Sequence, residues 1–271
     1  MYDLHVHSHW SDGEHAPQEL VRMARQAGLS GLALADHDTM QGIPQLEAAG
    51  HACGLLVFGS VEISCTQADG RPLHLLAYQL PEQGRPAVED FCRPIRQGRN
   101  EAIARCTAQL AQAGYPVSLD AVRRYAGPGG DLCKHYIMQA LMDAGCGDGL
   151  YGALYQRLFK RGPKGEPPVA PLAFPAVDPA AAVRCIVRAG GRAVLAHPGQ
   201  YDNFAALPAL VQAGLWGIEA YHPKHRPGDI ERCLKLAHAH GLGITGGSDF
   251  HGRFGEGEAM GECGVASLPF L

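Results

Sequence analysis

The chain has 271 residues, with 23 Lys and Arg against 27 Asp and Glu and a net charge of −4 when its histidines are neutral. That excludes the global basic field by which proteins gather long duplex DNA, and a composition 46% hydrophobic and 18% charged, with no apolar run of spanning length, excludes a helical membrane protein. Nine cysteines, an odd number with no C-x-x-C pair, exclude a disulfide framework and a thiolate zinc site.

The first predicted element is a strand at 2–6, whose sequence already carries polar residues between apolar ones. A helix follows, opened by Pro17, with Leu20, Val21, Ala24 and Ala27 on one face and Gly28 after it. Short apolar runs bounded by glycine then predict strands at 31–35, 55–63 and 73–78. Beyond about residue 90 the alternation stops and helical spacing takes over, first in Ile103, Cys106, Leu110 and Ala113, then in Ile137, Ala140 and Leu141. The proline-rich stretch Gly162-Pro163-Lys164-Gly165-Glu166-Pro167-Pro168 ends this helical part, since no helix continues through it. Strands return at 192–196, 215–220 and 242–246, separated by helices carrying Val183, Ile186 and Val187, and Ile230, Cys233, Leu234 and Ala237. The expectation is an α/β fold, a distorted seven-stranded (β/α)7 TIM-like barrel built from 1–93 and 171–271, with a helical insertion or lid over 94–170.

Histidine supplies 14 of the 271 residues, and many stand at strand ends. His5 and His7 share one face of the first strand, as alternate residues do. Alone, an H-x-H pair reads as surface polarity as readily as a metal grip. It is followed, however, by Ser11-Asp12-Gly13, Asp36-His37-Asp38, Val61-Glu62-Ile63, Leu73-His74-Leu75, Ala196-His197-Pro198, Glu219-Ala220-Tyr221-His222 and Ser248-Asp249-Phe250-His251. Catalytic residues of such barrels gather at the C-terminal ends of strands, and imidazole with carboxylate is the donor set of borderline divalent cations. Glu62 ends an apolar run where a carboxylate needs a partner, either a cation or an arginine. His74, between leucines, reads equally as a hydrogen-bonded core histidine. His9, His15, His51, His238 and His240 read as solvent-facing.

These motifs resemble the PHP family, named for polymerase and histidinol phosphatase. The stretches around Asp12, Ala35-Asp36-His37-Asp38-Thr39, Gly59 to Ser64 and Gly247 to Gly252 are similar to its stand-alone bacterial branch, which includes 3′,5′-nucleotide bisphosphate phosphatases and 5′→3′ exoribonucleases. The resemblance implies three divalent cations, Mn²⁺ before Fe²⁺ or Zn²⁺. His5, His7, Glu62 and Asp249 would hold the first, Glu62, His74 and His197 the second, and Asp12, His37 and His251 the third. A bridging hydroxide, kept in place through Glu62, His7 and Asp249, would be the nucleophile. Asp12, His37 and His251 would also face substrate, together with Arg99, Asn100, Lys134 and His135 of the insertion and His225. Arg96 shares a helix face with Arg99, although a solvated face explains it as well.

The expected activity is removal of the 3′-phosphate from nucleoside 3′,5′-bisphosphates, with trimming of short 5′-phosphorylated RNA at the same site. A phosphatase for a small metabolite such as histidinol phosphate and a non-catalytic, metal-stabilised regulatory module are the alternatives. Expected partners are a small nucleotide or short RNA, with no duplex DNA, membrane or obligate protein partner. The start Met1-Tyr2-Asp3-Leu4-His5 has no signal-peptide character and, with the cysteine usage, predicts a reducing cytoplasm.

Overall fold

The structure, a computed structural model, describes residues 1–163 and 165–270. The chain divides into two compact units, one formed by Met1–Arg93 with Ala176–Leu271 and the other by Pro94–Pro175. The first unit begins with β1 (Tyr2–Val6), α1 (Pro17–Gln26), β2 (Gly31–Leu34), α2 (Ile43–Cys53) and β3 (Leu56–Gly59). The hairpin β4 (Val61–Thr66) and β5 (Pro72–Tyr78) follows, and then α3 (Arg85–Gln112), along which the division into units falls at Pro94.

Short helices α4 (Leu119–Arg123), α5 (Lys134–Asp143) and α6 (Ala153–Phe159) complete the second unit. The first resumes with α7 (Pro179–Arg188), β6 (Arg192–Leu195), α8 (Leu207–Ala213), β7 (Gly217–Tyr221), α9 (Pro227–His240) and β8 (Gly243–Gly246). No helix among the described residues is long and apolar enough to cross a membrane.

Local chemistry sets several of these boundaries. Pro17 opens α1, the Glu19 carboxylate accepts from the Ala16 N–H at 3.0 Å, and Leu20, Val21 and Ala24 are buried at helical spacing. Asp178 caps α7 by accepting from the N–H groups of Ala180 and Ala181 at 3.0 and 3.2 Å. The buried face of α7 is Ala182, Val183 and Ile186, whereas Val187, expected on that face, is exposed.

The expected seven-stranded barrel is corrected in strand number, strand direction and closure. The described strands number eight and form two sheets, ordered β1-β2-β3 and β4-β5-β6-β7-β8. The run at 55–63 is two strands: Leu56–Gly59 pairs in parallel with β2, whereas Val61–Thr66 pairs antiparallel with β5. Finally, β5 runs antiparallel to both β4 and β6, while the other pairs are parallel. The turn Gln67–Arg71 leaves no room for a crossover helix, so β5 must reverse. The sheets do not close; isolated bridges Val6 to Phe250 and His37 to Glu62 link strand ends instead.

One core cluster joins Leu4, Ala33, Leu76, Tyr78, Val194 and Phe270 from both sheets. A second packs Val6, Leu32 and Leu34 beneath Leu20, Val21 and Leu46 of α1 and α2. Burying such side chains at about 1.5–3 kcal/mol each holds the strands in register. The strand ends, which lie beyond these clusters, are thereby left to carry polar groups.

Candidate metal centre

The polar groups at the strand ends converge. Beside β1, the His7 N–H donates to the Phe250 carbonyl and the Asp249 N–H to the His5 carbonyl, at 3.0 and 2.8 Å. Gly247 permits this approach, because a Cβ there would stand 2.5 Å from the His5 backbone nitrogen. Glu62 and His74 share a face of the β4–β5 hairpin, where Glu62 pairs with Leu76 and Ser64 with His74. His197 and Asp249 occupy left-handed backbone, with φ of +26° and +54°, a costly conformation of the kind held by surrounding structure at functional sites.

Glu62 is the centre of the arrangement. Its Oε2 lies 3.2 Å from both His5 Nε2 and His7 Nε2, and 3.3 Å from His37 Nδ1. Its Oε1 lies 2.8 Å from His74 Nδ1 and 2.8 Å from His197 Nε2. Asp249 Oδ1 adds an oxygen 3.0 Å from His7 Nε2 and 3.5 Å from His5 Nε2. Around Asp12, His251 Nε2 stands at 3.2 Å, His7 Nδ1 at 3.4 Å and His37 Nε2 at 3.8 Å. The structure thus assembles compact donor groups His5-His7-Glu62-Asp249, His37-Glu62-His74 and His7-Asp12-His37-His251, together with a fourth, His5-Glu219-His222.

Several of these donors fit cations better than they fit one another. His5 Nε2, both nitrogens of His7, His37 Nδ1, Glu62 Oε2 and Asp249 Oδ1 are buried without an aligned hydrogen-bond partner. Folded proteins keep few such atoms. Tautomers can be assigned at two rings: His5 Nδ1 meets Glu219 Oε1 at 3.0 Å, and His251 Nδ1 meets the Asp249 carbonyl at 2.7 Å. Each nitrogen must donate, which leaves the Nε2 lone pair of a neutral ring facing the cluster. The set holds nitrogen and oxygen donors, suited to Mn²⁺, Fe²⁺ or Zn²⁺.

Electrostatics agree. Burial alone would raise Asp12, Glu62 and Asp249, yet the surrounding imidazoles hold all of these carboxyls well below their usual range. Burial disfavours the charged form of His7, but Asp249 and Glu62 outweigh it and raise the ring to about 10. Burial wins at His37, which falls to about 3. Ionised carboxylates thus favour the protonated form of His5, His7 and His251, and an entering cation would displace those protons, whereas His37 and His197 are lowered by burial.

Other buried acids fix the loops that carry the donors. Asp36 accepts from Ser8 N and Ser8 Oγ, both at 2.7 Å, and from Ser11 Oγ at 2.6 Å, holding the segment that leads to Asp12. Asp3 accepts from Ser248 N at 2.9 Å, Ser248 Oγ at 2.6 Å and Gly261 N at 2.7 Å. Glu219 takes the His197 N–H at 2.8 Å as well as His5. The sequence reading gave no role to Asp3, Asp36, Glu219 or His222. The signal available for Asp36, Glu219 and His222 was their place inside the same polar bursts.

Both ring nitrogens of His225 are taken by backbone: Nδ1 lies 2.9 Å from the Ala220 carbonyl, and Nε2 accepts from Gly199 N at 3.0 Å. His9 and His15 are half-buried rather than solvent-facing, while His51, His238 and His240 are exposed. In the second unit, Arg96 pairs with Asp131 at 2.9 Å and Asn100 Oδ1 accepts from Leu132 N at 2.7 Å. Arg99 also acts on Asp131 electrostatically. Lys134 opens α5 with its Nζ 5.7 Å from the Tyr155 ring centre, and the buried His135 Nε2 lies 2.9 Å from Cys133 Sγ.

Comparison with known proteins accords with this geometry. The PHP domain matches residues 3–99. The chain is 37% identical to a phosphoribosyl 1,2-cyclic phosphate 1,2-diphosphodiesterase from Eggerthella lenta, covering 93% of this chain and 95% of that protein. It is 31% identical to a 3′,5′-nucleoside bisphosphate phosphatase from Chromobacterium violaceum, over 92% and 86%, and 32% identical to the 5′-3′ exoribonuclease Rnm of Salmonella typhimurium, over 93% and 85%. A solved structure from Bifidobacterium adolescentis, whose description assigns it to the metal-dependent phosphoesterases, superposes with a TM-score of 0.87 at 29% identity, covering 97% of this chain and 92% of that one. The chain therefore belongs to the PHP family and is a metal-dependent phosphoesterase.

Proposed function

We propose that the enzyme hydrolyses a phosphate ester on a small phosphorylated ribose, namely the 3′-phosphate of a nucleoside 3′,5′-bisphosphate, and that it trims short 5′-phosphorylated RNA at the same site. The observation that carries the proposal is the division of Glu62. One of its oxygens faces His5 and His7 and the other faces His74 and His197, as a carboxylate shared by two cations would. His5, His7, Glu62 and Asp249 would hold one cation, Glu62, His74 and His197 a second, and Asp12, His37 and His251 a third, with Mn²⁺ the favoured ion. Such cations, when bound, lower the pKa of water and neutralise phosphoryl oxygens.

The chain's own groups set up the attack. Glu62, His7 and Asp249 would orient the reacting water, and burial of their neighbours excludes bulk solvent. Arg99, Asn100, Lys134 and His135 would bind substrate phosphate, the two cations by charge-assisted hydrogen bonds. His225 is left out of that role because both its nitrogens serve the backbone.

A second reading is favoured by the relative from Eggerthella lenta, whose 37% identity exceeds the 31% of the bisphosphate phosphatase. Its substrate by name, a phosphoribosyl 1,2-cyclic phosphate, is also a phosphate ester on a phosphorylated sugar. The test is hydrolysis of a panel with Mn²⁺ supplied: nucleoside 3′,5′-bisphosphate, phosphoribosyl 1,2-cyclic phosphate, short 5′-phosphorylated RNA and histidinol phosphate. The highest kcat/KM is expected for the bisphosphate. Preference for the cyclic phosphate establishes the second reading, and preference for histidinol phosphate overturns both.

A further inference from the structure

His222 lies just past β7, fully buried, and belongs to the fourth donor group with His5 and Glu219. Its Nδ1 accepts the Lys224 N–H at 3.1 Å. A neutral imidazole has one lone-pair nitrogen and one N–H. Nδ1 is therefore the lone pair, and Nε2 carries the hydrogen. A ring in that form cannot ligate through Nε2, since ligation would require lone pairs on both nitrogens.

The same logic applies to the whole fourth group. Glu219 is already occupied, with Oε1 facing His5 Nδ1 at 3.0 Å and Oε2 accepting from His197 N at 2.8 Å. This group is a set of N–H donors around a filled carboxylate, and it does not make a further cation site.

The buried Nε2–H of His222 still needs an acceptor, because an unmade hydrogen bond there leaves a desolvated donor uncompensated. That nitrogen has no aligned hydrogen-bond partner, and Asp249 Oδ2 stands 3.4 Å from it. The other oxygen of that carboxylate, Oδ1, is the one facing His7 and His5. We propose that His222 is a positioning residue: with Nδ1 held by the Lys224 N–H, its Nε2–H closes on Asp249 Oδ2, 3.4 Å away, and so sets the carboxylate rotation that presents Oδ1 to the cation shared with His5, His7 and Glu62. The proposal rests on the reading of Asp249 as a metal ligand and is independent of the substrate.

The test uses the full chain stripped of metal. His222→Gln keeps an N–H donor near the Nε2 position. His222→Asn keeps an acceptor for Lys224 N but loses the donor to Asp249, and His222→Leu loses both. Mn²⁺ affinity is measured by calorimetry, bound metal by elemental analysis, and folding by the melting temperature of the stripped protein. Loss of an outer partner of a ligand weakens metal binding by about 10- to 100-fold. That loss is expected in Asn and Leu with the stripped protein's melting temperature unchanged in Asn, while Gln stays close to wild type.

Wild-type Mn²⁺ affinity in a folded Asn or Leu variant overturns the proposal. So does the loss of one whole metal equivalent in all three variants, which would make His222 a ligand. If neither donor-less variant folds while Gln behaves as wild type, the role is in folding and the proposal fails. A wild-type chain that takes up no metal would instead remove the ligand set itself.

Discussion

Polar residues gather in two regions of this protein, and they are in opposite states. At the strand ends of the first unit, imidazoles and carboxylates crowd together with buried atoms that have no aligned partner. Along α3 and the start of α5 in the second unit, the polar groups satisfy each other, Arg96 with Asp131 and Asn100 with the Leu132 backbone. The first region is incomplete without an ion. In the second these pairs are already made, so a substrate phosphate of the kind proposed would have to compete with them.

The contrast can be broken most severely at Glu62. Glu62→Ala is expected to eliminate both detectable turnover and most bound metal, measured by phosphate release and elemental analysis. A variant that kept full metal would refute the central role of this carboxylate. Next in size is metal removal. At a free Mn²⁺ concentration a hundredfold above its Kd, one bound ion stabilises the fold by about 2.7 kcal/mol, so chelation should lower the melting temperature by several degrees. Hydrogen exchange should rise at residues 5–7 and 247–251 and stay unchanged at 96–100, since only the first region depends on the ion.

Arg99→Ala tests the other side of the comparison. One charge-assisted hydrogen bond contributes about 1.5–3 kcal/mol, which predicts a KM about 10- to 100-fold higher with bound metal unaltered. The smallest effect is expected from Ser248→Ala. It deletes the 2.6 Å bond to Asp3 Oδ2 and should cost about 1–2 kcal/mol of stability in denaturant titration. A concurrent fall in Mn²⁺ affinity would show that Asp3 transmits order to the neighbouring Asp249.

Most of the residues brought together at the strand ends were legible because they follow or interrupt apolar runs, where an ionisable group is out of place unless it has a task, whereas Asp12 in Ser11-Asp12-Gly13 stood out only through the family resemblance. The strand count was less legible. A run from 55 to 63 gives no hint that its two halves pair with different strands, because strand pairing is a tertiary contact. The reversal of β5 was readable in Asp69-Gly70, a turn pair that leaves too short a connection for a parallel return. Asp3 and Asp36 bond to serines of neighbouring loops, long-range contacts that their place in the sequence does not encode. The role of His222 depends on which nitrogen carries hydrogen, a property of its neighbours that no spacing encodes.

The donors also differ in how far apart they stand along the chain. Glu62 and His74 meet through one local hairpin, whereas Asp3 and Ser248, flanking the His5 and Asp249 pair, are 245 positions apart. A cation gripped by His5, His7 and Asp249, as proposed, would therefore be a reversible cross-link between the first strand and the segment after the last, closing a loop of nearly the whole chain. Since loop-closure entropy grows with the logarithm of loop length, this contact is the most expensive in the site to assemble. The order of events during synthesis follows: the Glu62 and His74 pair can form early, but the complete centre must wait for β8, so a chain stopped before Asp249 would contain most of the ligands and none of the chemistry.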